Sequence, residues 1–484
     1  MLRAMTTPNS PHAHIIGIAG IGMSATAILL RQQGYSVSGS DEGFYPPASV
    51  ILPAHGITIT SPHAAANIPP QPSLIVIGKH AKLTADNPEV AAATAISQAS
   101  GIPMKSYPEV LASLTQHRHN IVVAGSYGKS TTTSLLACAL RHSQVDCGYF
   151  IGALPKSLGI HASLGTAAPF VMEGDEYPSS NTDPTSKFLH YSPQAVVLTS
   201  AAHDHVNIFP TQTDYEKPFQ NLLATIPANG LLVACLDEPH AAQLAKTATC
   251  QVVTYSLNNP QADYHATNLH YAEVSRFTLI AHGQNLGEFT TTQLGAHNVQ
   301  NMVGAAALLL EQNLLTPDQI RAAFAAFQGV VRRMDKLTTT SSVPAYEGFG
   351  SSRDKARSAI DAMQLHFPTR RLVAVFEPHT FSWRNRETIS WYNDVFHGVA
   401  HVFLYPPPGH GATTHSQLSQ PEIAAAIQAS GTPVQQLTAM PDDDLATIMA
   451  ALKPDDVLLL LTSGDIGGMM SQLIARLEET FGPA

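Results

Sequence analysis

Short apolar runs alternate with longer helical patterns along this chain, the arrangement of a mostly parallel sheet covered by helices. The first run, His14 to Met23, leads into the helical stretch Ser24 to Leu30. A second strand, Ser36 to Asp41, ends in an acid. This strand–turn–helix–strand pattern predicts a dinucleotide-type fold, with a diphosphate held at the helix N-terminus and Asp41 beside a sugar or base. The glycines at 17, 20 and 22 are not in G-x-G-x-x-G order, so they support nicotinamide binding only weakly. Another strand, Leu74 to Gly78, follows a proline-rich break.

A second unit begins near Gln116. Its predicted strands are Phe170–Met172, Ala195–Leu198, Leu231–Ala234 and Val252–Tyr255, with a helical pattern at Tyr215–Ile226. Residues 263 to 290, rich in Thr, Phe and Leu, predict a few antiparallel strands, and a helix from Asn298 to Gln312 closes the unit. A third unit starts around Arg333. It has strands at Arg371–Phe376, Val402–Leu404 and Val457–Leu461, and helices near Arg353–Leu365 and Pro421–Ala429. Residues 346–353 read as a loop. There is no internal repeat and no low-complexity segment.

Composition narrows the function classes. At 484 residues the chain is long enough for roughly two to four domains. A formal net charge of −10 argues against a nucleic-acid scaffold, and only 13% charged residues argues against disorder. The cysteines, Cys138, Cys147, Cys235 and Cys250, form no Cys-x-x-Cys pair and read as buried thiols of a reducing compartment. No signal peptide is read at the start, and the aliphatic block Val457 to Leu461 is too short to span a bilayer. The expectation is a cytoplasmic protein with no membrane and no nucleic-acid partner.

The chemistry concentrates first in Asn120-Ile121-Val122-Val123-Ala124-Gly125-Ser126-Tyr127-Gly128-Lys129-Ser130-Thr131. This reads as a buried strand, a glycine-bounded turn and a helix start. Gly125 and Gly128 let backbone N–H groups converge on an anion, and the helix dipole adds to them. Lys129 would reach the terminal phosphates, and the Ser130 hydroxyl would hold Mg²⁺. Strict Walker spacing needs glycine where Val123 stands, so the match is to a shorter variant. The alternative is an ordinary turn with a capping serine; lysine followed by the hydroxyl residues Ser130 to Thr133 disfavours it.

Four further signals follow. Glu173-Gly174-Asp175-Glu176 ends a strand, where ligands of open sheets bind, and Glu173 is the first choice for a metal ligand; the alternative is a solvated acidic loop. Either histidine of His203-Asp204-His205 could serve a metal, or the segment is a structural turn. Asn298 and Asn301 share a helical face and could read a purine edge, with helix capping by Asn298 as the alternative. Arg332-Arg333 lies at a domain junction, where an arginine can clamp a γ-phosphate.

Taken in order, these motifs resemble the Mur ligase family of ATP-dependent amide-forming enzymes over nearly the whole chain. The resemblance rests on Gly17-Ile18-Ala19-Gly20-Ile21-Gly22-Met23-Ser24, Ser38-Gly39-Ser40-Asp41, Asn87-Pro88-Glu89-Val90 and the phosphate loop. It continues through Glu173 to Glu176, Asp204-His205, His297-Asn298-Val299-Gln300-Asn301 and Arg332-Arg333-Met334. It implies an α/β fold of three domains. These are a Rossmann-like UDP-sugar-binding domain at 12–113, a P-loop-type ATP-binding domain at 114–332 and a Rossmann-like acceptor-binding domain at 333–484. By the same resemblance Gly20, Ile21, Gly22, Met23 and Asp41 bind the UDP-sugar. Gly125, Ser126, Gly128, Lys129, Ser130, Thr131, Asn298 and Asn301 bind ATP. Ser130, Glu173 and His205 hold Mg²⁺, and Lys129 and Arg333 are catalytic.

Glu176-Tyr177 through Ser186-Lys187-Phe188-Leu189-His190-Tyr191 resembles the family members that attach a whole tripeptide. The implied reaction joins UDP-N-acetylmuramate to the murein tripeptide L-alanyl-γ-D-glutamyl-meso-diaminopimelate through an acyl phosphate, as in peptidoglycan recycling, by a monomer or weak homodimer. The alternatives are L-alanine as acceptor, a nucleotide-binding pseudo-ligase with a regulatory role, and, more distantly, a nicotinamide dehydrogenase. The chain departs from the family at Tyr127, where histidine is usual, and at Ser351-Ser352-Arg353, which stand in place of a histidine–proline run.

Overall fold

The structure is a computed structural model that describes residues 10–80, 82–205, 208–332, 334–409 and 416–483. Two compact units divide the chain. One holds the residues up to Asn268 with Phe277–Thr290 and Val299–Val330; the other holds Leu269–Arg276, Thr291–Asn298 and Val331 onward.

The first unit contains two sheets. One is built from β1 (His12–Ile16), β2 (Ser36–Ser40), β3 (Thr58–Thr60), β4 (Leu74–Ile77) and β5 (Met104–Ser106), in the order β3-β2-β1-β4-β5. Every neighbouring pair is parallel. The chain order reverses between β1 and β4, which makes a crevice at their carboxyl ends. The larger sheet comprises β6 (His119–Ala124), β7 (Gly148–Phe150), β8 (Ala162–Ser163), β9 (Pro169–Gly174), β10 (Ala195–Leu198), β11 (Leu231–Cys235), β12 (Gln251–Ser256), β13 (Tyr264–His270), β14 (Ser275–Ala281) and β15 (Gln284–Thr291). Its order is β15-β14-β13-β12-β11-β10-β6-β9-β7-β8. The block from β12 to β7 is parallel, which is why β10, β11 and the Ile121–Ala124 part of β6 are apolar and buried rather than alternating.

The helix Ile21–Gln32 explains why these two sheets share one unit. Met23 through Leu30 are all buried. Met23, Ala27 and Leu30 pack into the core of the first sheet, whereas Ala25 and Leu29 pack into the core of the larger one. A helix without a polar face is covered on both sides.

The second unit carries β16 (Asp335–Lys336), β17 (Ala345–Phe349), β18 (Leu372–Phe376), β19 (His401–Leu404), β20 (Val434–Gln436) and β21 (Val457–Thr462) in the order β16-β17-β21-β18-β19-β20. This sheet is mixed, because β16 runs antiparallel to β17. Residues 346–353 are therefore not one loop. Ala345–Phe349 is a strand between β16 and β21, and a helix begins at Arg353. Its glycine and glutamate hide the strand from a hydropathy reading; the fully buried Val457–Leu461 on its flank supplies the apolar contact. Among the described residues no helix is long and apolar enough to cross a membrane. Cys138, Cys147 and Cys235 are buried free thiols, while Cys250 is partly exposed.

Candidate active site

The parallel register of β6 between β9 and β10 brings three strand ends together: Ala124-Gly125, Glu173-Gly174 and Leu198-Thr199. Gly125 has φ +149°, and a Cβ there would lie 2.2 Å from the Thr199 hydroxyl, so no side chain fits. Gly128 has φ +82° and caps the helix Lys129–His142; a Cβ on it would meet Asn301 Oδ1 at 2.8 Å. The loop is braced from outside. The Tyr127 amide donates to Ser200 Oγ at 3.0 Å, Thr199 donates to the Tyr127 carbonyl, and Ser126 donates to the Ala202 carbonyl. Tyr127 itself points outward, 55% exposed. A rigid glycine turn thus opens onto a helix N-terminus with no acid in its first turn, which suits an anion.

Lys129 and Ser130 each meet a carboxylate. Ser130 donates to Glu173 Oε1 at 3.0 Å, and the other Glu173 oxygen accepts from the Gly152 amide at 2.8 Å. A Cβ at Gly152 would stand 2.6 Å from Glu173 Oε1, so glycine is needed there. Lys129 Nζ lies 3.0 Å from Glu176 Oε2. Glu176 is fully buried and also accepts from the Tyr215 hydroxyl at 2.9 Å, with His205 Nε2 at 3.3 Å. Burial alone would raise the Glu176 carboxyl; the Lys129 ammonium and the His205 contact outweigh it and hold the group at about 2. Burial likewise works against charge on Lys129, yet the carboxylates of Glu176, Asp175 and Glu173 raise it. Burial, reinforced by Glu176, pushes the Tyr215 phenol well up, so it remains a donor.

Among the described residues no group of three or more His, Cys, Asp or Glu could hold a metal by itself. The Ser130 hydroxyl and Glu173 carboxylate nevertheless form an all-oxygen pair beside an anion-binding turn. That suits Mg²⁺, which completes its shell with phosphate and water. The other candidates divide. His205 faces Glu176, whereas His203 bonds the Phe209 carbonyl at 2.7 Å within its own turn. Thr131 is buried in the helix behind the loop. Asn301 lies against Gly128, but Asn298 Nδ2 donates to the Leu294 carbonyl at 2.7 Å. Arg333 lies outside the described residues; Arg332 donates to the Gly464 carbonyl and pairs with Glu347.

At the first sheet, Asp41 Oδ2 accepts from the Ala19 amide at 2.9 Å, which fixes the acid beside the Gly17–Gly22 turn. Gly20 precedes the helix without a side-chain cap. Ile21 is partly exposed, and Gly22 rests on the Tyr107 ring. The Met23 side chain is buried in the core, so only its backbone could reach a ligand. In the second unit, a cavity of about 290 Å³ is lined by Gly295, His297, Asp354, Arg357, Asp361 and Leu365, among others. Arg353 is engaged by Asp394 and Asp354, so its guanidinium is already matched.

Sequence reasoning passed over Glu176, Tyr215, Thr199 and Gly152. For Glu176 the acidic run was the signal, but the run does not say which acid meets the lysine.

The parallel sheets thus present a lysine-bearing glycine turn with an adjacent hydroxyl–carboxylate pair, and a second crevice at a sheet reversal, the parts of a nucleotide-using α/β enzyme. The Mur ligase middle domain matches residues 123–309, and the Mur ligase family catalytic domain matches residues 12–119. A UDP-N-acetylmuramate–L-alanine ligase from Sorangium cellulosum is 30% identical over 96% of each chain. The UDP-N-acetylmuramate–L-alanyl-γ-D-glutamyl-meso-2,6-diaminoheptandioate ligase from Haemophilus influenzae is 27% identical over 96% of this chain and 99% of that one. The crystal structure of a UDP-N-acetylmuramate–alanine ligase from Thermotoga maritima superposes with a TM-score of 0.77 at 20% identity, covering 97% of this chain and 99% of that chain, which shows the shared fold. The chain belongs to the Mur ligase family. It is an ATP-dependent ligase that forms amide bonds in peptidoglycan synthesis.

Proposed function

We propose that the chain joins the carboxylate of UDP-N-acetylmuramate to an amine, with L-alanine as acceptor. The observation that carries the ligase chemistry is the pairing of Lys129 with Glu176 and of Ser130 with Glu173 around the glycine turn. A carboxylate is a poor electrophile. Transfer of the ATP γ-phosphoryl group gives an acyl phosphate with a good leaving group; the amine attacks the acyl carbon, and phosphate leaves. Lys129 donates to the oxygens of the transferring group, whose negative charge it offsets. Ser130 and Glu173 would hold Mg²⁺, and His205 faces the same region from beside Glu176. Mg²⁺ bound there would supply positive charge to offset that of the phosphate oxygens. Gly125, Ser126, Gly128, Thr131 and Asn301 shape the nucleotide site. Gly20, Ile21, Gly22 and Asp41 face the UDP-sugar, and Met23 contributes backbone only.

This proposed acceptor is not the tripeptide expected from residues 176–193. Relatives near 30% identity over almost the full length are L-alanine ligases, which supports the single amino acid. The tripeptide is the second reading, favoured by the 27% identity, over 96% of this chain, to the Haemophilus influenzae ligase that takes that peptide. A competition assay with both acceptors and UDP-N-acetylmuramate, read by product mass, separates them. Predominant L-alanine product is expected; predominant tripeptide product would reverse the choice.

A further inference from the structure

We propose that Lys79 and Lys187 form a paired-ammonium subsite that holds an acidic group of the sugar-nucleotide donor. The inference deepens the donor reading above and rests on it. Lys79 lies two residues beyond β4, past the carboxyl end of the strand beside β1. It therefore stands at the sheet reversal, across the crevice from the Gly17–Gly22 turn, where ligands of open parallel sheets bind. Lys187 comes from the other side, on the short helical turn Lys187–His190. Both ammonium groups lie over the Tyr177 ring, at 5.6 Å and 5.8 Å from its centroid. Lys187 is also 5.5 Å from the Tyr107 centroid, and Tyr107 is the ring on which Gly22 rests.

The scaffold under the pair is fixed. Asn181 donates to the His80 and Leu83 carbonyls at 3.0 and 2.8 Å, which docks residues 179–187 onto the segment after β4. The Lys187 amide donates to the Tyr177 carbonyl at 3.0 Å. The charge is not balanced. Asp175 bonds Lys187 and is the acid that acts on Lys79, while Glu176 is committed to Lys129. Burial and the neighbouring Lys187 both lower the Lys79 ammonium, so holding two cations on one ring costs free energy that an added anion would offset. The far edge of Tyr177 meets His205 at 4.4 Å between ring centroids. The pair thus lies between the sugar-nucleotide turn and the phosphate loop. The acidic groups that a donor brings to that interval are its carboxylate and its diphosphate.

Calorimetry on the full chain tests this with UDP-N-acetylmuramate, with UDP-N-acetylglucosamine, which lacks the carboxylate, and with UDP. Lys79→Met is expected to weaken UDP-N-acetylmuramate on the order of 10- to 100-fold, and Lys79→Arg to restore most of the affinity. A loss confined to UDP-N-acetylmuramate assigns the pair to the carboxylate; an equal loss for all three assigns it to the diphosphate. Unchanged affinities in both Lys79→Met and Lys187→Met would overturn the subsite while leaving the donor reading intact. Wild-type protein that binds none of the three would overturn the donor reading, and the subsite with it.

Discussion

Lys129→Ala is expected to lower ligation on the order of 10²-fold or more while leaving the affinity for UDP-N-acetylmuramate near that of the wild type. The lysine starts the helix Lys129–His142 that follows β6 of the larger sheet, whereas Gly20, Gly22 and Asp41 lie beyond the strand ends of the smaller one. Its charge matters most when negative charge shifts onto the transferring phosphoryl oxygens, so the loss should appear in kcat. The substitution also strips Glu176 of its ion-pair partner, although the Tyr215 hydroxyl and His205 still face that carboxylate. Retained sugar-nucleotide binding, read by calorimetry, therefore shows that the protein is folded. Near-normal turnover in such a protein would remove the phosphate-loop assignment.

Glu176→Gln should destabilise the first unit by about 3 kcal/mol near neutral pH, because the change leaves a largely buried ammonium without its counter-ion. The effect has a pH signature. The native carboxyl titrates at about 2, below its ordinary 4.5, so its stabilisation is complete above pH 4.5 and drains away as pH falls toward 2. The gap between wild type and Glu176→Gln should therefore narrow through that window. Urea unfolding midpoints across the acid range would measure it. A gap that stays constant with pH would mean that Glu176 is not held ionised by Lys129.

Local sequence made the glycine turn legible: glycines, lysine and hydroxyl are adjacent in the chain and fold as one strand–turn–helix. The apolar strands of the parallel sheets were legible for the same kind of reason, since a strand buried on both faces is an unbroken apolar run. Partners brought together by register were not. Lys129 could have met Glu173 or Glu176, and only the pairing of β6 with β9 and the turn beyond β9 give Ser130 the first and Lys129 the second. His203 and His205 look alike in a tripeptide, but one turns back onto the Phe209 carbonyl and the other faces Glu176. Met23 follows the glycine run in sequence, yet it lies in the helix Ile21–Gln32 and packs into the core. Ala345–Phe349 passes for a loop because its glycine and glutamate break the apolar run, while β21 on its flank provides the hydrophobic contact. Lys79 carried no motif at all, and its partner Lys187 is distant in sequence.

The most direct measurement is ADP release from ATP and Mg²⁺ by the wild-type chain, with UDP-N-acetylmuramate and the amine acceptor each omitted in turn. ADP is expected at full rate only with donor and acceptor both present, and at background when UDP-N-acetylglucosamine replaces the donor, since that sugar has no carboxylate to receive the phosphoryl group. ADP release that ignores the donor, or its absence with every acceptor supplied, would contradict the ligase chemistry assigned to Lys129, Ser130 and Glu173.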